Sequence, residues 1–425
     1  MTTSVLEKLY RYVDPRRAVE ILTQSIKTTT SMEIDIRKAC FYTIAEDIYS
    51  PIDRPWTNIS HFDGFAVRSS DTVGASSNTP IELKLVGNVD SRNAHLYALR
   101  EKETVFVETG YPLPVNADAV IPVEAVKRHG DRILVYSSID PGFHVISMGG
   151  DVSKGELILK KGAIITPAIQ NLLVSLGISR VLVYRPPKTV IIAVGSELTD
   201  EVITPSTTRM PASSVYMVEN TIKYYGGVIV EKTIIGDDGR EIIEAVYNVL
   251  DRADLIITIG GVSLGPKDLT WTSIYREFKP RYYVRGVKIH PGRATSGFNI
   301  NGKVIVNLPG LPQSTFTGLF TIVLPILNYM LGRGRKLKLP FIKARSKRRY
   351  LIREYPSFYR LRFAIIDNGK VDLIVDGNSS YFIKPIALSD GFTLIPPNKT
   401  VIEENEELEV YTPQPFYYTC MKPLY

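Results

Sequence analysis

The sequence is poor in the two residue types that most often build metal sites and disulfide frameworks. Its 425 residues include only two cysteines, Cys40 and Cys420, which are far apart in the chain. This scarcity excludes a disulfide-stapled scaffold and a cysteine-rich zinc or iron–sulfur site. The five histidines show neither HxxxH nor HExxH spacing. A histidine-rich metal site is therefore not indicated either.

An uninterrupted apolar run long enough to cross a membrane is also missing. Residues 304–332 carry no charge, but three prolines and several polar side chains interrupt them. A buried strand, a turn and a buried helix explain this segment better than a membrane span, which needs about 20 continuous apolar residues. Residues 1–30 mix charged and apolar side chains and lack the apolar core of a signal peptide. We therefore expect a soluble, cytoplasmic protein with no membrane partner.

Excess positive charge is confined to one segment. The net charge is +7, whereas residues 333–362 hold twelve Lys and Arg against one acid, Glu354, so the rest of the chain carries −4. Three interpretations stay open: a solvated face, contact with nucleic acid, or enrichment of anions near a site. A solvated face is the commonest origin of such a run, and no aromatic stacking motif accompanies it. Nucleic-acid binding is therefore not favoured.

The length and the ordinary globular composition predict about three or four domains. Residues 14–28 and 37–49 have patterns that predict helices, and a proline-punctuated connection follows at 51–58. Short β-like runs dominate residues 65–139. The first part of the chain is therefore expected to combine helices with a β-rich insertion.

The middle of the chain has the clearest pattern. Apolar strands alternate with helices over residues 189–194, 213–225, 228–235, 237–252 and 254–259. This alternation predicts a mostly parallel sheet with helices on both faces. A long helix is expected over 314–330. Short alternating segments after residue 334 predict a small β-barrel or sandwich.

A glycine-rich turn marks the expected ligand position. Residues 259–268 (IGGVSLGPKD) follow an apolar strand and precede a helix, and ligands of open α/β sheets bind at the carboxyl ends of strands. The glycines allow backbone N–H groups to approach a phosphate, and Asp268 offers a carboxylate to a divalent cation. Pro266 stands where a P-loop needs lysine, so that motif is rejected. The alternative is a plain turn with a capping aspartate.

Two acidic motifs also follow strands. Glu197, in the sequence GSEL, either faces the same crevice or complements a helix dipole. Asp237 and Asp238 follow the next strand, and helix capping explains at least one of them.

Two further turns carry polar groups. Residues 288–293 (KIHPGR) place two cations and a histidine at a Pro-Gly turn, which suits either oxyanion binding or a surface hairpin. Residues 307–314 (NLPGLPQS) form a rigid turn in which Ser314 is expected to begin a helix. That serine either presents free N–H groups to an anion or serves only as a cap.

Taken in order, these segments resemble the MoeA family, the molybdopterin molybdenumtransferases that include the E domain of gephyrin. Each motif is weak alone, but their order and spacing together make the assignment specific. The matching segments are FDGFAVR at 62–68, TGYPLP at 109–114, ADAVI at 117–121, GSEL at 195–198, GGVSLGPKD at 260–268, PGR at 291–293 and LPGLPQS at 308–314.

The resemblance implies a multidomain α/β plus β fold and an elongated homodimer. In the family, the lobe that bears the Asp63 position reaches towards the α/β domain of the other subunit. The implied domains are a discontinuous helical linker domain (1–50 and 140–186), an inserted β-rich lobe (51–139), a doubly wound α/β molybdopterin-binding domain (187–332) and a C-terminal β-barrel domain (333–425).

The implied reaction inserts molybdate into the dithiolene of adenylylated molybdopterin and releases AMP with the help of Mg²⁺. The upstream partner is then a molybdopterin adenylyltransferase. Asp63, Glu197 and Asp268 are expected to be catalytic, and Glu197 and Asp268 to hold the metal. The expected substrate-binding residues are Thr109, Gly260, Gly261, Ser263, Gly265, Lys288, Arg293, Pro309, Pro312 and Ser314, with Lys288, Arg293 and Ser314 forming the molybdate pocket. The pterin supplies the sulfur ligands, which agrees with the scarcity of cysteine.

Several positions depart from the family motifs. Phe62 replaces Met, Val194 replaces Thr and Ser196 replaces Asp; Leu311 and Gln313 replace the Asn and Val of LPGNPVS. In PGKP, Arg293-Ala294 replaces Lys-Pro. These changes leave two alternatives open, a tungstate-inserting variant and a non-catalytic pterin-binding carrier. Retention of the Glu197 and Asp268 carboxylates favours an enzyme.

Overall fold

The architecture is that of a computed structural model of the chain, which describes residues 12–90, 92–206, 208–262, 269–374 and 379–413. Within these ranges, no helix is both long enough and apolar enough to cross a membrane. Three of the expected site residues, Ser263, Gly265 and Asp268, lie outside the described residues.

The regular elements are eight helices and twenty-eight strands within the described ranges. The helices are α1 (Pro15–Leu22), α2 (Pro167–Ser175), α3 (Ser213–Tyr224), α4 (Gly239–Leu250), α5 (Leu269–Phe278), α6 (Pro312–Gly318), α7 (Leu324–Met330) and α8 (Lys384–Leu388). The strands are β1 (Ser31–Asp35), β2 (Ile48–Tyr49), β3 (Ile59–Ser60), β4 (Gly64–Val67), β5 (Ile81–Val89), β6 (Glu103–Val107), β7 (Ala119–Pro122), β8 (Val126–His129), β9 (Arg132–Val135), β10 (Val145–Ile146), β11 (Leu157–Leu159), β12 (Arg180–Tyr184), β13 (Lys188–Val194), β14 (Leu198–Thr199), β15 (Met210–Pro211), β16 (Val228–Ile235), β17 (Leu255–Ile259), β18 (Tyr282–Val284), β19 (Ile289–His290), β20 (Ser296–Ile300), β21 (Lys303–Leu308), β22 (Phe341–Ser346), β23 (Tyr350–Leu351), β24 (Tyr359–Asp367), β25 (Lys370–Leu373), β26 (Gly391–Ile395), β27 (Val401–Ile402) and β28 (Glu407–Tyr411).

Helix α1 begins where the sequence predicts but ends early. Asp14 caps it by accepting a hydrogen bond from the Arg16 N–H at 2.8 Å, and Pro15 occupies the first turn. The helix stops at Leu22, six residues before the expected end at residue 28. Its buried face joins the core of the α/β domain through Ala18, Val19 and Leu22.

The prediction of a helix over residues 37–49 is wrong. The structure has a single 3₁₀ turn, Ile36–Lys38, followed by extended chain. Thr43 bridges Ile164 and Ile44 bridges Val183, and β2 pairs with β11. This stretch contains aromatic and β-branched side chains, whose helical preference is weak, so pairing with distant segments decided its conformation.

The β-rich lobe is a six-stranded sheet with the order β7-β4-β6-β5-β9-β8. Successive side chains of β4 point to opposite faces, so Phe65 and Val67 join one core cluster and Ala66 joins another. The lobe therefore has cores of its own, and they fix the turn that precedes β4 and carries Asp63.

The α/β domain is built on a six-stranded sheet with the order β16-β13-β17-β21-β20-β18. The first four strands are parallel, β20 runs antiparallel to β21, and β18 runs antiparallel to β20. Ile191 and Ala193 of β13 face one apolar cluster, and Val190 and Ile192 face the other. Helices thus cover both faces, as expected. The chain passes from β13 to β16 on one side and returns to β17 on the other, so the carboxyl ends of β13 and β17 form the switch point at which such sheets bind ligands.

The C-terminal domain is a closed five-stranded barrel, which confirms the expected β-barrel. Around the barrel the order of neighbouring strands is β24-β25-β22-β28-β26. Strand β24 also pairs with β26, and this pairing closes the ring. The short strand β19, which belongs to the α/β part of the chain, adds in parallel to β24. This pairing fixes the barrel against the α/β domain.

Candidate functional site

A cavity of about 680 Å³ opens at the switch point of the α/β sheet. It is a crevice between two domains, because one wall comes from the C-terminal domain. Its lining includes Glu197, Asp237, Gly260, Leu311, Pro312 and Tyr381. We call this cavity the crevice; its size lies within the range of small-molecule sites.

The backbone conformation at the floor of the crevice requires glycine at positions 260 and 261. Both have positive φ angles, 99° and 64°. A Cβ at Gly260 would lie 2.2 Å from the Val194 carbonyl oxygen, and a Cβ at Gly261 would lie 2.2 Å from Thr270 Oγ1. Only glycine fits this close approach, so both residues shape the expected ligand crevice.

The structure separates the roles of the two neighbouring aspartates. Asp238 caps helix α4 by accepting from the Arg240 N–H at 2.7 Å. Asp237 lines the crevice and is tied to the turn after β13 by two hydrogen bonds. The Ser196 N–H donates to Asp237 Oδ2, and the Asp237 N–H donates to Ser196 Oγ, both at 3.2 Å. These bonds place Asp237 next to the turn that carries Glu197.

The turn before helix α6 separates the crevice from a second polar region. Gly310 lies against the crevice floor, since a Cβ there would be 3.5 Å from the Gly260 Cα. Pro312 lines the crevice, whereas the Pro309 carbonyl accepts from Thr315 Oγ1 at 2.6 Å. The expectation that Ser314 begins the helix is wrong: α6 starts at Pro312, and Ser314 is a buried residue of its first turn.

The second region is a group of buried and half-buried side chains, which we call the arginine cluster: His290, Arg293, Arg360 and Arg362, with Tyr355. His290 on β19 is paired in register with Arg360 on β24. Arg360 is fully buried and Arg362 is 3% exposed. A Cβ at Gly292 would lie 3.0 Å from the Ser314 carbonyl oxygen, which places the Pro-Gly turn of the cluster against α6.

Hydrogen bonds within the protein use only some of the guanidinium N–H donors of the arginine cluster. Arg360 Nη2 donates to the Pro396 and Lys399 carbonyls at 2.5 and 3.0 Å, and Arg362 Nη2 donates to Glu354 Oε2 at 3.1 Å. Arg360 Nε and Nη1 and Arg362 Nε are buried and have no hydrogen-bond partner among the residues that the structure describes. Buried guanidinium donors left in this state favour an anion that accepts from them.

The charges of the arginine cluster act on one another. Burial first, and then Arg362, Arg293 and Arg360, lower the pKa of His290 to about 3. Burial also lowers the pKa of Arg362, an effect that Glu354 opposes. His290 is therefore neutral at neutral pH and can accept or donate a hydrogen bond.

Arg293 belongs to this cluster, as the sequence predicts for an anion pocket. Its guanidinium lies 4.7 Å from the centroid of the Tyr355 ring and donates to the Tyr355 hydroxyl. The His290 ring lies 4.4 Å from the same ring. The main chain of Lys288 joins Val13 and Tyr359, and its side chain is half-buried.

Asp63 and Thr109 meet each other in the lobe. Asp63 Oδ1 accepts from the Thr109 N–H at 2.7 Å and from Thr109 Oγ1 at 2.8 Å, and these bonds lower the pKa of Asp63. Neither residue lines the crevice of its own chain. The sequence-predicted residues therefore fall into three groups: the crevice, the region around the arginine cluster, and the lobe.

Residues 333–362 do not form one continuous basic surface. Arg360 and Arg362 are buried, and Arg333 is held inside by Thr43 and by the Tyr225 carbonyl. Lys343 on β22 pairs with Glu407 on the neighbouring strand β28, and Arg349 pairs with Glu403. Arg360 and Arg362 were not predicted from the sequence, because no local pattern in the run shows which of its members face inward.

Comparisons with known proteins agree with this architecture. Residues 13–177 match the family described as the MoeA N-terminal region (domain I and II), and residues 190–329 match the probable molybdopterin binding domain. The chain is 32% identical to a putative molybdopterin biosynthesis protein of Methanocaldococcus jannaschii, over 96% of this chain and 95% of that protein. It is 27% identical to molybdopterin molybdenumtransferase 2 of Mycobacterium tuberculosis, over 92% and 97% of the two chains.

A solved structure is similar over nearly its whole length. The molybdopterin biosynthesis MoeA protein of Pyrococcus horikoshii superposes with a TM-score of 0.79 at 30% sequence identity, covering 95% of this chain and 99% of that one. The sequence identity and the shared multidomain fold confirm the resemblance drawn from the motifs. The chain therefore belongs to the MoeA family of molybdopterin biosynthesis proteins.

Proposed function

We propose that this protein is a transferase of molybdenum cofactor biosynthesis that inserts molybdate into adenylylated molybdopterin and releases AMP. The observation that carries the proposal is the pairing of two sites of opposite charge. The crevice offers carboxylates and glycine backbone, and the arginine cluster offers buried donors. Both lie against the segment formed by α6 and the turn before it. Relatives over most of the chain carry the name molybdopterin molybdenumtransferase.

The crevice residues suit a nucleotide-like substrate with Mg²⁺. Among the residues that the structure describes, Glu197 and Asp237 are the carboxylates that line it. Among the described residues, no group of three or more His, Cys, Asp or Glu forms a metal cage. Two carboxylates fit Mg²⁺ well, since it is commonly held by one or two carboxylates together with water and substrate phosphates. The cation would neutralise charge on the phosphates during AMP release, while Asp237, fixed by Ser196, keeps its carboxylate in place.

The arginine cluster is our proposed molybdate pocket. Its unpartnered Nε and Nη1 atoms can donate to a tetrahedral oxyanion, and Arg293 adds a further charge beside Tyr355. This proposal adds Arg360 and Arg362 to the sequence-predicted Arg293 and Lys288. Ser314 remains a proposed pocket residue, on the helix that lies against the Pro-Gly turn.

We further propose that the site is completed in a homodimer. Asp63 and Thr109 lie outside the crevice of their own chain, yet their mutual hydrogen bonds hold the Asp63 carboxylate in an ionised, oriented state. A two-fold assembly can bring this lobe to the crevice of a second copy. The substrate implies that an adenylyl-transferring enzyme acts immediately upstream.

The proposal is tested by a turnover assay. Purified protein is mixed with adenylylated molybdopterin, Mg²⁺ and either molybdate or tungstate, and both AMP release and metal retained on the pterin are measured. AMP release that depends on one oxyanion supports the transferase and identifies its metal. Tight pterin binding without AMP release under either oxyanion overturns the transferase and leaves a pterin-binding carrier.

The dimer arrangement is tested by mixing inactive subunits. Asp63→Asn and Glu197→Gln variants are each expected to lose turnover. When equal amounts exchange subunits, mixed dimers contain one site with neither substitution, so activity returns to about a quarter of the wild-type value. One variant carries an affinity tag that makes its subunits heavier, so that native mass spectrometry detects mixed dimers. If these form and activity stays absent, then the lobe does not act across the dimer.

A further inference from the structure

The outer wall of the crevice is a short aromatic segment of the C-terminal domain. Residues 379–383, which we call the aromatic loop, lead into helix α8. Tyr381 and Phe382 line the crevice, and they are 60% and 44% exposed. Large aromatic side chains that line a cavity and stay this open are available to a ligand.

One residue of the α/β domain holds the aromatic loop in place. The Gln313 main-chain N–H donates to the Ser380 carbonyl at 3.0 Å, and Gln313 Nε2 donates to the Phe382 carbonyl at 3.0 Å. Gln313 is only 6% exposed. Within the loop, the Phe382 N–H donates to the Ser379 carbonyl at 3.0 Å. The aromatic loop is therefore tied to the first turn of α6 by two bonds from a single residue.

The side-chain bond depends on a residue that departs from the family motif. Gln313 stands where the family motif has valine. Valine would keep the main-chain bond to Ser380, but it has no donor for the Phe382 carbonyl. The second departure in this turn, Leu311, is 45% exposed and places an apolar side chain on the crevice instead of an amide. Both changes therefore act on the same part of the crevice.

The chemistry of this wall fits a flat, fused heterocycle. Tyr and Phe rings bind such ligands by stacking, and apolar neighbours such as Leu311 strengthen the contact by excluding water. The substrate of the proposed function contains two groups of this kind, the pterin and the adenine. The carboxylates on the crevice side then face the phosphates through the cation, and the aromatic loop faces a ring.

We infer that Gln313 is a positioning residue that fixes the aromatic loop so that Tyr381 and Phe382 bind a fused heterocycle of the substrate. This inference rests on the proposed function for the identity of the ring. It assigns substrate recognition to the C-terminal domain, in addition to the α/β domain, and it explains why a buried amide replaced an aliphatic side chain.

The test measures ring binding separately from turnover. AMP is titrated by calorimetry, and 6-hydroxymethylpterin phosphate is titrated through its own fluorescence, with Mg²⁺ present in both. Gln313→Val is expected to raise the Kd of one ring probe about three- to tenfold, the size of one lost hydrogen bond. Tyr381→Ala and Phe382→Ala are expected to raise the same Kd about tenfold. The probe that responds identifies the ring.

Matched controls separate positioning from general destabilisation. Gln170 also donates its Nε2 to a main-chain carbonyl, that of Ile36 at 2.7 Å, but it lies in another domain. Gln170→Val therefore makes the same chemical change and is expected to leave both Kd values unchanged. Phe341 is 47% exposed on the barrel, and Phe341→Ala is the control for Phe382→Ala. Gln313→Met, which keeps the side-chain length, replaces Gln313→Val if melting curves show that the valine variant is unfolded.

A double-variant cycle decides the inference. If Gln313 acts through the loop, Gln313→Val combined with Tyr381→Ala weakens binding by less than the sum of the two single effects, because only the contact of Phe382 is then left for Gln313 to position. In turnover, KM for the adenylylated pterin rises in Gln313→Val while kcat and KM for molybdate stay within about twofold, because the loop touches only the ring. Unchanged Kd values for both probes in Gln313→Val, or fully additive effects, overturn the inference. Absence of turnover in the wild type would overturn the proposed function alone, since the titrations do not depend on it.

Discussion

The crevice and the arginine cluster both lie against residues 309–314, yet they are built in different ways. The crevice is open and its carboxylates, Glu197 and Asp237, sit on turns that follow strands. The arginine cluster is more deeply buried, and its side chains come from strands β19 and β24 and from the chain next to them, in two different domains. The carboxylate side of the crevice therefore follows from one sheet, whereas the cluster exists only because two domains pair.

The crevice and the arginine cluster also differ in how their charges are neutralised. The crevice carboxylates face solvent and can be neutralised by a cation from solution. The arginines are buried with Glu354 as an acidic partner whose side chain is 49% exposed, so part of their donor capacity is left for a ligand. Substitutions on the two sides should consequently affect different substrates.

The largest effect is expected from Arg360→Lys. Lysine keeps the charge but loses the planar fork that reaches both the carbonyls and an oxyanion. We expect KM for molybdate to rise about 100-fold, the scale of a lost buried charged contact, with KM for the adenylylated pterin unchanged. Steady-state kinetics with each substrate varied in turn measures both values. Arg345→Lys, on the exposed face of the same barrel, is the control; equal effects of the two variants would refute a pocket at Arg360.

His290 should give the cluster a characteristic pH dependence of stability. Its folded pKa is about 3, below the ordinary 6.5, because it is buried among arginines. As pH falls below 6.5, the unfolded chain binds a proton that the folded chain does not, so stability is complete above 6.5 and is lost progressively towards pH 3. Relative to His290→Gln, the wild type should lose about 2 kcal/mol between pH 7 and pH 5.

Denaturant unfolding of both proteins at several pH values measures this difference. Parallel stability curves for the two proteins would show that His290 is not held neutral. Saturating molybdate should reduce the difference, because an anion in the cluster favours the protonated imidazole.

Asp237→Ala should show that Asp237 acts in the crevice, whereas its neighbour Asp238 caps a helix. Loss of a crevice carboxylate is expected to raise the Mg²⁺ concentration for half-maximal AMP release about tenfold, with little change in stability. Asp238→Ala should behave in the opposite way, losing about 1 kcal/mol of unfolding free energy through the missing cap while the Mg²⁺ requirement stays constant. Magnesium titrations and melting curves on both variants distinguish the two roles; an unchanged magnesium requirement in Asp237→Ala would remove it from the site.

The smallest effect is expected from Lys343→Ala. Lys343 pairs with Glu407 at 2.8 Å, but both side chains are 58% exposed, and such pairs add little stability. The melting temperature and both KM values should stay at their wild-type values. A marked loss of molybdate affinity would instead show that the exposed part of the basic segment serves the site.

Local sequence signals predicted the α/β domain well. Strands β13 and β17 are continuous apolar runs, and Gly260 and Gly261 end β17 where a Cβ would collide with neighbouring atoms. The expected helix over 314–330 is present as α6 and α7 joined by the π-helical turn Leu319–Val323. Such features succeed because hydrophobic periodicity and backbone sterics act within a few residues.

Other features failed because distant segments decided them. Residues 37–49 are extended because Thr43 and Ile44 form β-bridges with residues more than a hundred positions away in the chain. Asp237 and Asp238 are identical as side chains, and only the position of Ser196 across the sheet assigns one to the crevice. Their roles were therefore not readable from local pattern.

The sequence by itself determined the family, the parallel sheet and the glycine-lined position at its edge, because order of motifs, apolar runs and glycine sterics are local properties. Only the tertiary structure decided which charges of residues 333–362 lie inside. Burial of Arg360 and Arg362 depends on the parallel pairing of β19 with β24, a contact between domains that no local periodicity encodes. A second contact between the same two domains brings Gln313 against the aromatic loop.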